Sequence, residues 1–259
     1  MATDAIVEVV GVRKRFGEKE ILKGVDLDVP RGRITTIIGG SGSGKSVLVK
    51  HIIGLLKPDE GEVRFEGQDI CRLGARALAS VRRNFGMLFQ HSALFDSMTV
   101  EDNIAFPLVE HTSLSGRKIR DIVREKLEVL GMAGIERQFP SELSGGMRKR
   151  VGLARAIVLS PKVIIYDEPT TGLDPIMTQN VDQMIKEAEK KFNVTSVVIS
   201  HDMASTFRIS DHIAVIHEGR IVEHGSGDEI LRSSNDYVRR FLAAASSPHR
   251  AGLAAGGDA

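Results

Sequence analysis

The spacing of apolar positions changes along the chain and predicts strands near both ends of the sequence, with helices between them. In residues 7–29, short apolar runs are broken by glycines and other turn residues, which is typical of antiparallel strands. Residues 34–38 follow a Pro-Arg-Gly turn and are mostly apolar, as expected for a buried strand. The amino-terminal part is therefore predicted to contain antiparallel strands that lead into a buried one.

Helical spacing of apolar residues first appears after residue 44. Leu48, Ile52 and Leu55 recur at this spacing in residues 45–56, and Pro58 ends the segment. Residues 85–89 are predicted to form another strand. An amphipathic helix in the middle of the chain is predicted from a further set of apolar positions, which are Ile119, Ile122, Val123, Leu127 and Leu130.

Strands and helices alternate again after residue 162. Strands are predicted at residues 163–166, 194–200 and 213–216, with a helix in each interval. Asp174 is an N-cap candidate directly before Pro175, which marks the first of these helices reliably. Because such alternation is typical of parallel sheets, we expect an α/β fold with a mostly parallel sheet.

Composition and charge narrow the functional classes. The chain has 259 residues, with 35 basic and 34 acidic side chains, so its charge gives no reason to expect a nucleic-acid partner. The single cysteine, Cys71, excludes an internal disulfide and a cysteine metal cluster. The first ten residues lack the pattern of a secretion signal, and no apolar run approaches the roughly 20 residues that span a bilayer. We expect a cytoplasmic protein whose membrane role needs a partner, with a small, polar, flexible tail at residues 243–259.

A glycine-rich loop with the pattern G-x-x-x-x-G-K-[ST] lies between the predicted buried strand and the first predicted helix. The loop consists of Gly39, Gly40, Ser41, Gly42, Ser43, Gly44, Lys45 and Ser46. Its backbone N–H groups and the helix N-terminus attract phosphate oxygens, Lys45 adds a positive charge, and Ser46 can bind Mg²⁺. Val47 follows where threonine is usual, which removes one hydroxyl contact to phosphate. An ordinary glycine loop is the competing interpretation.

A pair of acidic residues ends a later apolar strand. Asp167 and Glu168 follow residues 163–166, and nucleotides bind at the carboxyl ends of strands in α/β sheets. Asp167 can hold the magnesium shell through water, and Glu168 can polarise a water for in-line attack on the terminal phosphate. The alternative is a strand end with a capping acid before Pro169.

A second predicted anion site precedes a basic helix. It consists of Leu143, Ser144, Gly145, Gly146 and Met147. A serine cap, backbone donors and a helix N-terminus suit phosphate. Since one chain needs a single site of this kind for one nucleotide, the second is expected to complete the site of another subunit.

The glycine loop, the serine-glycine-glycine loop, the Asp-Glu strand and His201 occur in an order that strongly resembles the ATPase subunits of ABC transporters. The resemblance covers residues 6 to about 242. It implies a P-loop NTPase (RecA-like) core at about 1–90 and 162–242, with an antiparallel β subdomain and an α-helical subdomain inserted at about 91–161.

The resemblance also implies roles for individual residues. Phe16 matches the aromatic that stacks on adenine, and Gln90 matches the glutamine that touches Mg²⁺ and links the site to the membrane partner. Glu168 matches the general base, and His201 matches the histidine that holds the terminal phosphate. Alone, Gln90 would be an ordinary strand end and His201 a structural histidine.

In the family, two copies enclose two ATP molecules. Ser144 and Gly146 of a homodimer would therefore serve the nucleotide bound to the partner's Lys45, and Asp174 matches a loop that crosses to the opposite subunit. The implied cofactors are ATP and Mg²⁺. The implied location is the cytoplasmic face of the inner membrane, as a peripheral protein.

Finer features are similar to one subfamily, the ATPases of MCE-type lipid transporters that maintain lipid asymmetry. These features are Met147, in place of the usual glutamine, and residues 88–100, 103–108 and 110–112. This resemblance implies a permease that contacts residues 90–108, an MCE-domain protein and a small cytoplasmic regulator. The sequence also departs from the proteobacterial members, because residues 170–173 keep the generic Thr-Thr-Gly-Leu, which leaves open whether such a regulator exists for this chain.

Four apolar residues near Gln90 are candidates for the groove that grips a permease helix. They are Leu94, Phe95, Met98 and Val100. Their alternative role is in the core of the helical region.

Other classes of nucleotide-binding protein fit less well. ABC ATPases of DNA repair insert coiled coils or zinc modules between the two loops, translation-associated ABC proteins need two cassettes, and P-loop kinases do not need residues 143–147. The alternative function is an ABC importer or exporter for another substrate, such as an amino acid or a hydrophobic toxin.

Overall fold

A computed structural model describes residues 4–90 and 92–246 of the chain. In this part the strands are β1 (Ala5–Phe16), β2 (Lys19–Pro30), β3 (Ile34–Ile38), β4 (Glu60–Phe65), β5 (Gln68–Asp69), β6 (Phe85–Leu88), β7 (Val163–Asp167), β8 (Thr195–Ser200), β9 (His212–His217) and β10 (Arg220–Gly225). The α-helices are α1 (Lys45–Ile52), α2 (Ala75–Arg82), α3 (Val100–His111), α4 (Gly116–Val129), α5 (Gly145–Ile157), α6 (Pro175–Phe192), α7 (Met203–Ile209), α8 (Gly227–Leu231) and α9 (Asp236–Ser246).

The first sheet is antiparallel, with the strand order β2-β1-β4-β5. Its two long strands, β1 and β2, form the hairpin that the broken apolar pattern of residues 7–29 predicts. Gly11 does not end β1 as a turn would, because a shift in register between Val9 and Val12 absorbs it within the strand. One face of this sheet packs with β3, α1 and β8 in a shared core.

The second sheet is mostly parallel, with the strand order β10-β9-β3-β8-β7-β6. Strands β9, β3, β8, β7 and β6 run in one direction, and β10 pairs antiparallel with β9 at the edge. Every residue of β3 and β8 is buried, as expected for strands covered on both faces. The predicted α/β fold class is therefore confirmed.

A separate apolar cluster joins the helices of the middle region. Helices α3, α4 and α5 contribute to it, and Ile119, Val123 and Leu127 of α4 are buried, as the amphipathic pattern predicts. The prediction for the first helix is wrong at its end. Helix α1 stops at Ile52, and Leu55 lies beyond it with 56% of its surface exposed.

The carboxyl-terminal part differs from the predicted tail. Helix α9 continues through residues 243–246, four residues past the predicted boundary. Residues 1–3, 91 and 247–259 lie outside the described residues, and most of the predicted tail is among them. No helix in the described part combines the length and the apolar character that crossing a membrane requires.

Candidate functional site

The order of strands in the parallel sheet brings four sequence segments to one edge. Strands β3, β8, β7 and β6 are consecutive neighbours. Residues 39–46 follow β3, His201 follows β8, Asp167 and Glu168 stand at the end of β7, and Gln90 follows β6. Because parallel strands end on the same side of a sheet, these segments meet where ligands bind in open α/β sheets.

The phosphate loop has a backbone that glycine makes possible. Gly44 has φ +111°, and a Cβ there would lie 2.9 Å from Cδ2 of Leu22. Gly44 is also the N-cap of α1 and provides no side-chain cap, and the first turn of α1 contains no acidic residue. The N-terminal N–H groups of α1 are thus left for an external anion, and the helix dipole favours negative charge there.

Lys45 folds back on its own loop. Its Nζ donates to the carbonyls of Gly39 at 2.7 Å and Gly40 at 3.1 Å. Burial lowers the pKa of Lys45, and the charges of Glu168 and Asp167 oppose this shift. A phosphate would compete with the two carbonyls for the ammonium group, because hydrogen bonds between two charged groups are stronger.

The other residues of the phosphate loop differ in their exposure to solvent. Ser41, Gly42 and Ser46 are exposed, so the Ser46 hydroxyl can reach a ligand. The hydroxyl of Ser43 is buried without a hydrogen-bond partner among the described residues, so it can bind a polar ligand. Val47 is half-buried and packs against the apolar core, so this position cannot supply the missing hydroxyl.

Asp167 is a half-buried carboxylate at the end of β7. Burial first, and the neighbouring charge of Glu168 second, raise the pKa of Asp167, while Lys50 and Lys45 oppose this shift. A carboxylate in such surroundings gains more from a nearby cation than an exposed one does, because the charged form is poorly solvated.

Glu168 is held in place by two donors. Nδ1 of His201 donates to its Oε2 at 2.6 Å, and the hydroxyl of Thr171 donates to the same oxygen at 3.0 Å. Glu168 has φ +50°, a conformation that non-glycine residues rarely adopt and that is found preferentially at active sites. Among the described residues Oε1 accepts no hydrogen bond, so it can accept one from a water.

The tautomer of His201 follows from this contact. With Nδ1 donating to Glu168, a neutral ring presents Nε2 as an acceptor. The ring can also donate to a phosphate oxygen only when both nitrogens carry protons. The side chain of His201 is 59% exposed, so a ligand can reach Nε2.

Gln90 and Phe16 lie at the periphery of this edge. The main-chain carbonyl of Gln90 accepts from Nζ of Lys149 at 3.1 Å. Phe16 ends β1, is 49% exposed, and has Nζ of Lys14 over its ring at 5.7 Å. Residues of the paired strand β2 contact the phosphate loop, so the hairpin that ends in Phe16 is anchored beside it.

The second predicted anion site is the N-terminus of α5. The hydroxyl of Ser144 accepts from the N–H of Met147 at 3.2 Å, and the first turn of the helix contains no acidic residue. Leu143 is buried in the helical cluster, whereas Ser144 and Gly145 are exposed. No hydrogen bond or ion pair found in the described part joins residues 143–147 to the phosphate loop. This end of α5 is therefore exposed, and its use as an anion site stays a prediction.

Asp174 caps α6, as the sequence predicts. Its Oδ1 accepts from the N–H groups of Ile176 and Met177, both at 2.9 Å. Met177 also lies next to the second anion site, where a Cβ on Gly146 would approach its Cε to 3.3 Å. The exposed start of α6 and the start of α5 thus share one surface.

Sequence reasoning missed Thr171 as a contact of Glu168. The available signal was its position three residues after Glu168, a spacing at which a hydroxyl reaches back to a turn. It also missed Arg155, whose guanidinium donates to the carbonyls of Ser92 at 2.8 Å and Ala93 at 2.9 Å. No pattern in the sequence indicated that contact, because its partners are distant in the chain.

Comparison with known proteins identifies the family. Residues 22–171 match the family model described as ABC transporter. The intermembrane phospholipid transport system ATP-binding protein MlaF of Haemophilus influenzae is 44% identical over 237 residues, which cover 92% of this chain and 90% of that protein. The probable ribonucleotide transport ATP-binding protein mkl of Mycobacterium leprae is 43% identical over 242 residues, covering 93% of this chain and 70% of that protein.

Solved structures agree with this assignment. The chain is 30% identical to cbiO1 from Clostridium perfringens, part of the ABC transporter complex cbiONQ, with a TM-score of 0.82 and coverage of 89% and 92% of the two chains. A dimeric ATP-binding cassette bound to ADP and Pi in a post-hydrolysis state is also 30% identical, with a TM-score of 0.74 and coverage of 85% and 98%. The family model spans more than half of the chain and the relatives align over nearly all of it, so the chain belongs to the ABC transporter family, as an ATP-hydrolysing subunit.

Proposed function

We propose that this ATPase powers the movement of phospholipid through a separate membrane permease. The hydrolytic part of the proposal rests on one observation, which is the convergence of Glu168, His201 and the phosphate loop at the ends of adjacent strands. The choice of cargo rests on likeness to the phospholipid transport ATPase and on the segment around Gln90.

ATP would bind with its phosphates on residues 39–47, where Lys45 exchanges its loop carbonyls for phosphate oxygens. Phe16 would stack on the adenine. Glu168 would accept a proton from the attacking water through Oε1, while His201, with both ring nitrogens protonated, donates from Nδ1 to the carboxylate and from Nε2 to the terminal phosphate.

Mg²⁺ fits the oxygen donors of this site. Ser46 presents an exposed hydroxyl, Gln90 a side-chain amide, and Asp167 a carboxylate with a raised pKa. Oxygen ligands with retained waters are the usual environment of Mg²⁺ in nucleotide enzymes. We expect Ser46 and Gln90 to bind the ion directly and Asp167 to bind it through water; its chemistry is to neutralise charge on the terminal phosphates.

The functional unit of this proposal is a homodimer. Ser144, Gly145 and Asp174 lie on an exposed surface that carries the N-terminus of α5, as expected of groups that complete a partner's site. A mixture of Lys45→Ala and Ser144→Ala chains tests this arrangement, because a mixed dimer keeps one complete site only if the groups act across the interface. Turnover above that of either variant alone is expected, up to about a quarter of the wild type, since half of the dimers are mixed and each has one of two sites; coupling between the sites lowers this value. A mixture no more active than either variant alone would contradict the arrangement across the interface.

The permease would dock in a groove next to Gln90. The groove has a volume of about 670 Å³, with Phe89, Phe95 and Phe106 on its apolar surface. Arg83 and Arg155 also line it, so a helix with apolar and acidic residues would fit. Of the four predicted groove residues, Phe95 lines the groove, Val100 and Leu94 belong to the helical cluster, and Met98 belongs to neither set.

The assembly would lie at the cytoplasmic face of the inner membrane and include an MCE-domain protein and a cytoplasmic regulator. The domain limits 1–242 and 243–259 are also retained as proposals. Transport of another substrate is the alternative, and one relative is named for ribonucleotide transport. Reconstitution with the permease in vesicles separates the two. Phospholipid-dependent stimulation of ATPase activity is expected, and stimulation by ribonucleotides alone would refute the lipid assignment.

Glu168→Gln tests the chemistry. The amide keeps the size of the side chain but removes the proton acceptor, so turnover should fall by about 10²–10⁴-fold while ATP binding is retained. Turnover and binding of a fluorescent ATP analogue are measured on the purified chain. Undiminished turnover would refute the assignment of the general base.

A further inference from the structure

Lys149 is a buried cation in the second turn of α5. Only 6% of its surface is exposed. Its Nζ donates to the carbonyl of Gln90 at 3.1 Å and, through a shorter hydrogen bond, to the carbonyl of Pro169. Burial lowers the pKa of Lys149, and no acidic neighbour in the described part opposes that shift. The ammonium group is therefore held by main-chain carbonyls without a carboxylate partner.

Such a lysine is costly for folding. A buried charge loses its hydration, and two carbonyl dipoles compensate for this less well than a carboxylate would. An apolar side chain of similar length would fill the same space without that loss. We therefore explain the presence of a buried lysine at this position by the two loops that it joins. Buried titratable groups of this kind are concentrated at functional sites.

The two loops belong to the hydrolytic site. Gln90 follows β6, and Pro169 is the residue directly after Glu168. Lys149 itself belongs to the helix whose first turn follows Ser144. One side chain thus joins the two loops of a subunit's own site to the helix end that faces outward.

The remainder of α5 is fixed to the same loop. A Cβ on Gly152 would lie 2.8 Å from Cδ1 of Leu88 and 3.1 Å from Cβ of Ser92, so the helix and the loop are in close contact. Arg155 donates to the carbonyls of Ser92 and Ala93, which both have positive φ. Helix α5 and this loop are therefore expected to move as one body.

We propose that Lys149 is a positioning residue that couples the two ATP sites of the dimer. Lys149 holds the Gln90 and Pro169 carbonyls on α5. As a result, Ser144 closes on the partner's nucleotide and Glu168 is placed on the subunit's own nucleotide in a single movement. The coupling rests on the proposed function, whereas the anchoring of the loops does not.

The test compares Lys149→Met, which removes the donor, with Lys149→Arg, which keeps the charge and the donors. Lys126→Met is the matched control. Lys126 also has a largely covered side chain, 15% exposed, but it pairs with Glu125 in α4. Hydrogen exchange of the nucleotide-free chain is measured first, followed by the ATP dependence of steady-state turnover.

In Lys149→Met, amides of residues 89, 90, 92–95 and 170–173 should exchange at least about tenfold faster, while those of α4 keep their rates. Turnover should fall at least about tenfold and the Hill coefficient for ATP should approach one, with little change in single-site ATP binding. Lys149→Arg should restore both properties, and Lys126→Met should change neither.

Wild-type exchange in both loops of Lys149→Met would overturn the proposal. So would an unchanged Hill coefficient, or a loss that Lys149→Arg does not reverse. If Lys149→Met does not fold, Lys149→Gln takes its place under the same criteria, because its shorter neutral side chain does not reach both carbonyls. If the wild-type chain hydrolyses no ATP, the proposed function fails, and the exchange rates alone decide whether Lys149 anchors the loops.

Discussion

Replacing Thr171 with valine tests whether the orientation of Glu168 limits hydrolysis. Valine has nearly the same shape as threonine but lacks the hydroxyl that donates to Oε2 of Glu168 at 3.0 Å. The carboxylate then keeps only its 2.6 Å hydrogen bond to His201 in the described part of the chain. The charge and position of the backbone stay the same, so the change isolates one contact.

The expected loss of activity in Thr171→Val follows from the strength of the hydrogen bond between Thr171 and Glu168. A hydrogen bond to a charged group contributes about 1.5–3 kcal/mol, which corresponds to about 10–150-fold in rate if it acts fully in the transition state. Because His201 holds the same oxygen and limits the motion, we expect the lower end, a fall in kcat of about tenfold. The KM for ATP should change little, since Thr171 contacts Glu168 and not the phosphate loop.

The assay is steady-state phosphate release at saturating Mg²⁺ and a series of ATP concentrations. Thr171→Ser keeps a hydroxyl and serves as the control, with kcat near that of the wild type. A double variant with His201→Ala should lose less than the product of the single losses, because both residues act on one carboxylate oxygen. If Thr171→Val has a kcat within about twofold of the wild type, the positioning argument is refuted.

Further predictions concern the effect of site residues on stability and the geometry of the phosphate loop. Because the pKa of Asp167 is raised, the folded state binds the proton of this carboxyl more tightly than the unfolded state does. The contribution of Asp167 to the free energy of unfolding therefore falls as the pH rises from the unfolded pKa to the folded pKa. Asp167→Asn should therefore raise the Tm of the nucleotide-free chain at neutral pH in calorimetry while abolishing Mg²⁺-dependent turnover, and the gain in Tm should vanish below the unfolded pKa. Asp174→Ala removes the cap of α6 and should lower the free energy of unfolding by about 1 kcal/mol, or the Tm by about 2–4 °C. Asp174→Asn should keep the Tm. Unchanged ATPase activity in Asp174→Asn would contradict a role of this residue across the dimer. Gly44→Ala should abolish ATP binding in a filter assay, because its Cβ meets Leu22 at 2.9 Å, whereas Gly74→Ala, which has open space around it, should bind normally.

The local parts of the fold could be predicted because their signals lie within a few residues. The cap by Asp174 and the buried face of α4 both follow from residue spacing within a single helix. The predicted end of α1 was wrong because Leu55 continues the helical spacing after the chain has left the helix. The backbone turns after Ile52 and leaves Leu55 exposed, although Leu55 fits the helical spacing.

The functional residues could be predicted only where they form a motif along the chain. Lys45 and Glu168 could be proposed as site residues because a glycine loop and a strand end surround them. Lys149 and Arg155 could not, because their partners are backbone carbonyls 20 to 63 residues distant in sequence, and carbonyls carry no residue-specific signal. The strand order was equally hidden, since long-range pairing decides it.

That strand order gives His201 its place between nucleotide binding and hydrolysis. Strand β8 lies between β3 and β7, with Ser200 opposite Ile38 on one side and Ile199 opposite Asp167 on the other. A residue that directly follows β8 therefore stands between the start of the phosphate loop and the acidic pair. Its Nδ1 already contacts Glu168, and Nε2 can donate to the phosphate when both ring nitrogens carry protons. If β8 slipped by one residue, the side chain at this end would face the other side of the sheet, and the contact with Glu168 would be lost. The role proposed for His201 thus depends on register as much as on the chemistry of imidazole.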